Sequence, residues 1–197
     1  MVPNSGWDAA TQLVGAAAAG DRQALSGLIR ATQRDVWRYL ACQVGAGEAD
    51  DLTQETYLRA VGALPRFEGR SSVRTWLLVI ARRVVIDHLR RRAVRPGIVD
   101  APDWQALADR AGPDRDGRSA PAEFTDLTEL EGLLAGLSVE RREAIVLTQV
   151  LGFNYAEAAL ICRCPIGTIR SRVARAREDL LTQANEGGHG DGRSVTG

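Results

Sequence analysis

Four arginines, Arg170, Arg172, Arg175 and Arg177, recur at two- and three-residue steps near the end of a 197-residue chain. Guanidinium groups so placed can clamp phosphate oxygens or read guanine edges, provided a helix carries them. At 100° per residue, Ile169, Val173, Ala176 and Leu180 fall within about 60° of one another and form a stripe to bury. Gly167, Ser171 and Ala174 lie opposite, with Thr168, Arg170 and Arg175 on the flanks, while Arg172 and Arg177 border the stripe. Small residues at the centre of an outward face let a helix sit deep in the major groove. A solvated basic face has the same composition, so the segment before it matters. There Asn154-Tyr155-Ala156-Glu157 is a capping-box start for a short helix, Arg163-Cys164 a tight turn, and Pro165 a residue suited to N1 of the next helix. Two short helices joined this way are a helix-turn-helix, whose second helix enters DNA.

Other reactive groups are few. All 25 basic residues are arginine. Without a lysine there is no P-loop, Schiff-base or kinase-type phosphate anchor. His88 and His189 are the only histidines, too few for a multi-histidine metal site. Cys162 and Cys164, one residue apart, have no second pair to close a zinc site, so no metal and no cofactor are expected. Cys162 reads as a small buried residue and Cys42 as packing. Cys164 either packs as well or lies partly exposed before the last helix. Asp50 or Asp51 as a phospho-acceptor is the least implausible enzymatic reading, but no alternating strand–helix pattern supplies the fold for it.

The elements that must position these groups are almost all helical. Asp21 is a candidate N-cap for a helix to about Val44, with Leu25, Leu28, Ile29, Val36 and Leu40 on one face. A first helix is expected around Asp8 to Ala19, and another from about Glu48 to Ala63, ended by Pro65. In the latter Tyr57, Val61 and Leu64 should pack inward, leaving Asp51, Gln54 and Glu55 outside. A long helix starts near Ser72, with Val73, Trp76, Leu77, Ile80, Val84 and Leu89 as its stripe; Trp76 is assigned to the core. Phe124, Leu127, Leu130, Leu133 and Leu134 open a second helical unit. Ser138 then caps a helix from Val139 to Val150 that Gly152 stops.

Between the units, from about Ala93 to Ala122, proline and glycine recur without an apolar period, as in a linker, with Trp104, Leu107 and Ala108 able to anchor a short turn. The net charge of zero conceals a pattern. Residues 1–95 carry 14 Arg against 9 acids, residues 96–131 carry 3 against 9, and residues 132–197 carry 8 against 7. An acidic segment thus separates two basic or neutral blocks. No apolar run approaches the roughly 18 residues of a membrane span, and no signal peptide is expected from the opening residues. Three cysteines give no disulfide framework. The expectation is a cytoplasmic protein of the all-α class.

Leu137 to Leu180, and above all Gly167-Thr168-Ile169-Arg170-Ser171-Arg172-Val173-Ala174-Arg175-Ala176-Arg177-Glu178-Asp179-Leu180, resembles the C-terminal promoter-reading domain of extracytoplasmic-function sigma factors of the sigma-70 family, with an actinobacterial, sigma-C-like flavour. Asp50 to Ala60 resembles the segment with which that family docks on the clamp helices of RNA polymerase. Phe67 to Arg82 and Val85 to Arg91 resemble its strand-opening, −10-reading part. The resemblance implies a sigma domain 2 bundle over 1–95, a flexible acidic linker over 96–122, a sigma domain 4 helix-turn-helix over 123–184 and a disordered tail over 185–197. It implies three kinds of partner: core polymerase, promoter DNA and, in many members, an anti-sigma factor.

By that resemblance Asp51, Gln54, Glu55 and Arg59 would contact core polymerase, with Thr56 partly structural. On the residues alone, Asp51, Gln54 and Glu55 are a solvated helix face. The −10 strand would meet the loop and helix start through Ser71, Ser72 and Arg74, and its backbone would meet Arg82, Arg83, Arg90 and Arg91. Members often carry Asn where Arg83 stands, a departure that puts a base-specific role there in question. The −35 element would meet Thr168, Arg170, Ser171, Arg172, Arg175 and Arg177. The acidic linker would thread toward the basic polymerase active site and RNA exit channel. The competing readings are a stand-alone helix-turn-helix regulator, whose first unit dimerises or senses a ligand, and the enzyme considered above.

Overall fold

The computed structural model describes residues 5–94 and 125–187. The linker expected over 96–122 lies outside them, as do Phe124 and the end of the tail. Within them every regular element is helical: α1 (Ser5–Ala18), α2 (Arg22–Val44), α3 (Ala46–Ala63), a 3₁₀ turn (Leu64–Arg66), α4 (Val73–Val94), α5 (Thr125–Ala135), α6 (Val139–Ile145) with a π-helical turn (Val146–Val150), α7 (Tyr155–Cys162) and α8 (Ile166–Gly187).

Local chemistry sets most of the boundaries. Asp21 caps α2, its carboxylate accepting from the backbone N–H of Gln23 at 2.8 Å and Ala24 at 3.1 Å. Ser72 opens α4 in the same way, accepting from Thr75 N–H at 3.1 Å. Pro65 sits in the turn that ends α3. Ser138 stands at the N-cap of α6 with suitable backbone but makes no side-chain capping bond, contrary to expectation. The helix that was to run unbroken to Val150 widens into the π turn, where Leu151 N–H reaches Val146 C=O at 2.9 Å. Gly152, at φ 71°, then ends it. Pro165 lies one residue before α8, its carbonyl accepting from Thr168 N–H at 2.9 Å, and α8 runs through Gly187, beyond the expected end of the unit at Ala184.

In the first unit α1 and α3 pack on α2, and α4 packs against α3 and α2. Tyr39, Leu40, Val36 and Leu77 are fully buried at its centre. The seam of α3 runs through Ala49, Leu52, Thr56 and Ala60. Val61 was expected inward but lies 41% exposed, because it follows Ala60 by one 100° step and so leaves the seam. Leu64 is buried, and Tyr57 is half-buried with its hydroxyl 2.7 Å from that of Thr32. Trp76 packs against Phe67, ring centroids 5.0 Å apart, as a core-side residue.

The second unit brings α6, α7 and α8 around Leu147, Ile161, Ile169 and Val173. Leu134 is buried there, but Leu133 is half-exposed rather than packed. The ion pair between Arg141 on α6 and Asp179 on α8, 2.5 Å, fixes one helix on the other.

The two units share one core. Beside the expected stripe of α4, a second face carrying Leu78, Ala81 and Val85 is also buried. It points the same way as Arg74 and Arg82, which both reach the second unit. A helix apolar on two sides needs partners on two sides.

Candidate nucleic-acid interface

The helix-turn-helix has the expected construction. Asn154 and Glu157 form a reciprocal capping box, with bonds of 2.9 and 3.0 Å. Cys164 N–H closes the α7 end on Ala159 C=O at 3.1 Å. On α8, Ile169, Val173 and Ala176 are buried and Leu180 half-buried, while Gly167, Ser171, Ala174, Arg170 and Arg175 face out. The outward and inward sides thus fall where the 100° step put them. Ser171 spends its hydroxyl hydrogen on Thr168 C=O at 3.0 Å, so toward DNA it offers an acceptor. Arg177 donates to Gln149 Oε1 at 2.8 Å, and Arg172 approaches Cys164 Sγ at 3.8 Å. These two lean back on their own unit. Arg170 and Arg175 point outward.

On α3, Asp51 and Gln54 are exposed, and Leu58 (72% exposed) and Val61 continue the same outward row at spacings of three and four residues. Leu58 was missed from the sequence, where a leucine beside a buried seam reads as core. Glu55 and Arg59 are engaged: Arg59 Nε donates to Glu55 Oε1 at 2.8 Å, and its Nη1 donates to Asp87 Oδ2 at 2.6 Å. The latter bond ties α3 to α4 and, as the largest influence, holds the Asp87 carboxyl below its usual range. Thr56 is wholly buried, its hydroxyl bonded to Leu52 C=O, a structural part.

The −10 candidates divide in two. Arg83, Arg90 and Arg91 are exposed along α4. Ser71 is half-buried, and Ser72 is used as a helix cap. Arg74 and Arg82, by contrast, face the second unit. Arg74 donates to Leu151 C=O, just past the π turn, and its guanidinium lies 3.9 Å from the Phe153 ring centroid. Burial pushes its pKa down. Arg82 Nε donates to Glu143 Oε1 at 2.7 Å, and the same oxygen accepts from Tyr39 O–H at 2.9 Å. Burial lowers the Arg82 pKa, but the Glu143 carboxylate outweighs it and the net direction is up. Burial, then Glu143, pushes the Tyr39 hydroxyl and Cys162 thiol well above their ordinary values. Arg142 adds a third clasp, donating to Gln43 C=O at the end of α2 and to Ala135 and Leu137 C=O. The pairings that join the two units are 61 to 104 residues apart in the chain, so no sequence spacing signals them.

Among the described residues no group of three or more His, Cys, Asp or Glu could hold a metal ion, and no helix is long and apolar enough to cross a membrane.

Comparison with known proteins bears on both halves. The Sigma-70 region 2 model matches residues 28–95 and the Sigma-70, region 4 model residues 127–180. The chain is 52% identical over 177 residues to the ECF RNA polymerase sigma factor SigC of Mycobacterium tuberculosis, covering 90% of this chain and 92% of that one. It is 39% identical over 135 residues to EcfG of Rhodopseudomonas palustris, covering 68% and 70%. Among solved structures it is similar to the sigma factor RpoE bound to the anti-sigma factor NepR from Bartonella quintana, with a TM-score of 0.62 and 29% identity over 80% of this chain and 94% of that one. CnrH, solved with the cytosolic domain of CnrY, shares the fold at a TM-score of 0.67 and 24% identity, covering 91% and 99%.

Proposed function

This chain belongs to the extracytoplasmic-function sigma factors of the sigma-70 family, and from that premise we propose how its parts divide the work of starting transcription. It binds core RNA polymerase and directs it to particular promoters. A stand-alone helix-turn-helix regulator would not carry both sigma regions in this order. We read it as acting in the cytoplasm with no catalysis and no cofactor of its own, and as open to capture by an anti-sigma factor.

Residues 1–95 form the polymerase-docking and −10 unit, 96–122 the linker, 123–184 the −35 unit and 185–197 the tail. Asp51 and Gln54, with Leu58 and Val61 beside them, make an acidic and apolar row that suits a basic, partly apolar helix pair on polymerase. Glu55 and Arg59 hold the α3–α4 angle as well as edging that row. Arg170 and Arg175 read or clamp the −35 duplex, with Thr168, Ser171, Arg172 and Arg177 around them. Ser71, Ser72, Arg74, Arg82, Arg83, Arg90 and Arg91 serve the −10 strand.

One condition follows from the geometry. Arg74 and Arg82 cannot hold DNA while they hold Leu151 C=O and Glu143, so full promoter engagement requires the two units to part. The observation that supports this division most is the outward placement of the α3 row and the α8 face in one chain. Run-off transcription with purified core polymerase on a candidate promoter tests it. Wild-type chain should start transcripts, and Asp51→Arg/Gln54→Ala should fail to recruit core while still binding −35 duplex. Failure of the wild-type chain to bind core, or loss of duplex binding in that variant, would count against it.

A further inference from the structure

Between α4 and the turn joining α7 to α8 lies a cleft of about 290 Å³ that the proposed initiation role leaves unused in this arrangement. Four arginines line it, Arg82, Arg83, Arg90 and Arg163, against one acidic residue, Asp87; Arg83, Arg90 and Arg163 are exposed. The Asp87 carboxylate is already bonded to Arg59, and Arg82 is bonded to Glu143. No ion pair of the described residues engages Arg83, Arg90 or Arg163. Positive charge gathered in a partly walled cleft is favoured by an anion and is unfavourable without one.

Arg163 adds an independent observation. At φ 53°, ψ 49° it is the only non-glycine residue with positive φ among those described. The left-handed conformation at a helix end is ordinarily filled by glycine, and a long side chain there is strained. Glycine would make this turn more easily, but an arginine gives the cleft a positive residue on the side of the second unit.

The remaining wall is aliphatic: Val79, Ile86 and Ile161. A bare phosphate would leave that surface wet, whereas a ligand with an organic part would cover it. The volume suits a molecule of nucleotide size and excludes a duplex. We propose that this cleft binds a small organic phosphate of the nucleoside polyphosphate kind, its phosphates between Arg83 and Arg90 on α4 and Arg163 on the turn. Such a ligand joins the two units and holds them together.

The test is calorimetric titration of the full chain with GTP, tripolyphosphate and inorganic phosphate in turn, with thermal melting alongside. Arg163→Gly is the informative variant, because glycine fits the backbone and the protein should fold at least as well. GTP should bind the wild-type chain and raise its Tm. Arg163→Gly should bind it about tenfold more weakly or worse, as expected for a lost charge-assisted contact. Arg175→Gln, on the outward face of α8, should bind as the wild type does. Tripolyphosphate should bind more weakly than GTP. No binding by any probe, equal affinity in wild type and Arg163→Gly, or an equal loss in Arg175→Gln would overturn the proposal. So would a single-stranded oligonucleotide that alone shows the Arg163 dependence.

Discussion

Arg82 on α4 and Glu143 on α6, 61 residues apart in the chain, meet through a 2.7 Å bond in which the carboxylate is almost wholly buried. Tyr39 on α2 donates to the same oxygen at 2.9 Å. One carboxylate of the second unit therefore holds two helices of the first. Removing one partner of a buried ion pair costs on the order of 3–5 kcal/mol when nothing relaxes. Glu143→Gln should lower Tm and loosen the contact between units, and it should increase binding of single-stranded −10 DNA by the free chain. Fluorescence anisotropy with a labelled oligonucleotide checks this. Unchanged DNA binding at a clearly lowered Tm would mean that Arg82 is not the group being released.

Arg170 and Arg175 face solvent on α8, with no intramolecular bond assigned to either. Replacing either with alanine should leave the unfolding free energy within about 0.5 kcal/mol of wild type. It should weaken −35 duplex binding by about 1–3 kcal/mol if the residue reads a base. If it contacts phosphate instead, the loss should be uniform across sequences and the salt dependence shallower. Competition binding at two salt concentrations separates the cases.

Thiol reactivity should rank by burial. Burial pushes the Cys42 thiol up to about 11, and burial followed by Glu143 raises Cys162 further. Cys164 is half-buried beside Arg172. At pH 8 a disulfide reagent should modify Cys164 first, with Cys42 and Cys162 responding only on unfolding or on separation of the units. Rapid modification of all three in native buffer would contradict the packing described.

His88 supplies a pH dependence. Burial, chiefly, lowers its pKa from the ordinary 6.5, with Glu48 pulling the other way. The unfolded chain therefore takes up its proton at higher pH than the folded one. The stability this group contributes is present above about pH 6.5 and is lost as pH falls toward the depressed folded value. Melting between pH 7.5 and 5.5 should show a steeper fall in wild type than in His88→Asn.

The local grammar of the chain was readable from sequence. Asp21, the Asn154–Glu157 pair, Pro65 and Gly152 each act within a few residues, so their types alone set boundaries. The inward stripe of α8 follows from its 100° step. What escaped depends on distant partners. Leu78, Ala81 and Val85 are buried because the second unit covers them, and Arg74 and Arg82 look available in sequence because Leu151 and Glu143 are far away along it. Val61 and Leu58 were misjudged or missed for a different reason. Apolar side chains beside a seam and within it have the same composition, and only the neighbouring helices decide which is covered.

The shared core has a thermal consequence. Parting the units wets the α4 face of Leu78, Ala81 and Val85 together with the apolar surface it met. Exposing apolar area raises heat capacity, and the hydrophobic gain from covering it fades on cooling. If the units part as proposed, the balance between joined and parted forms is itself a thermometer, in which cold favours the form with Arg74 and Arg82 uncovered.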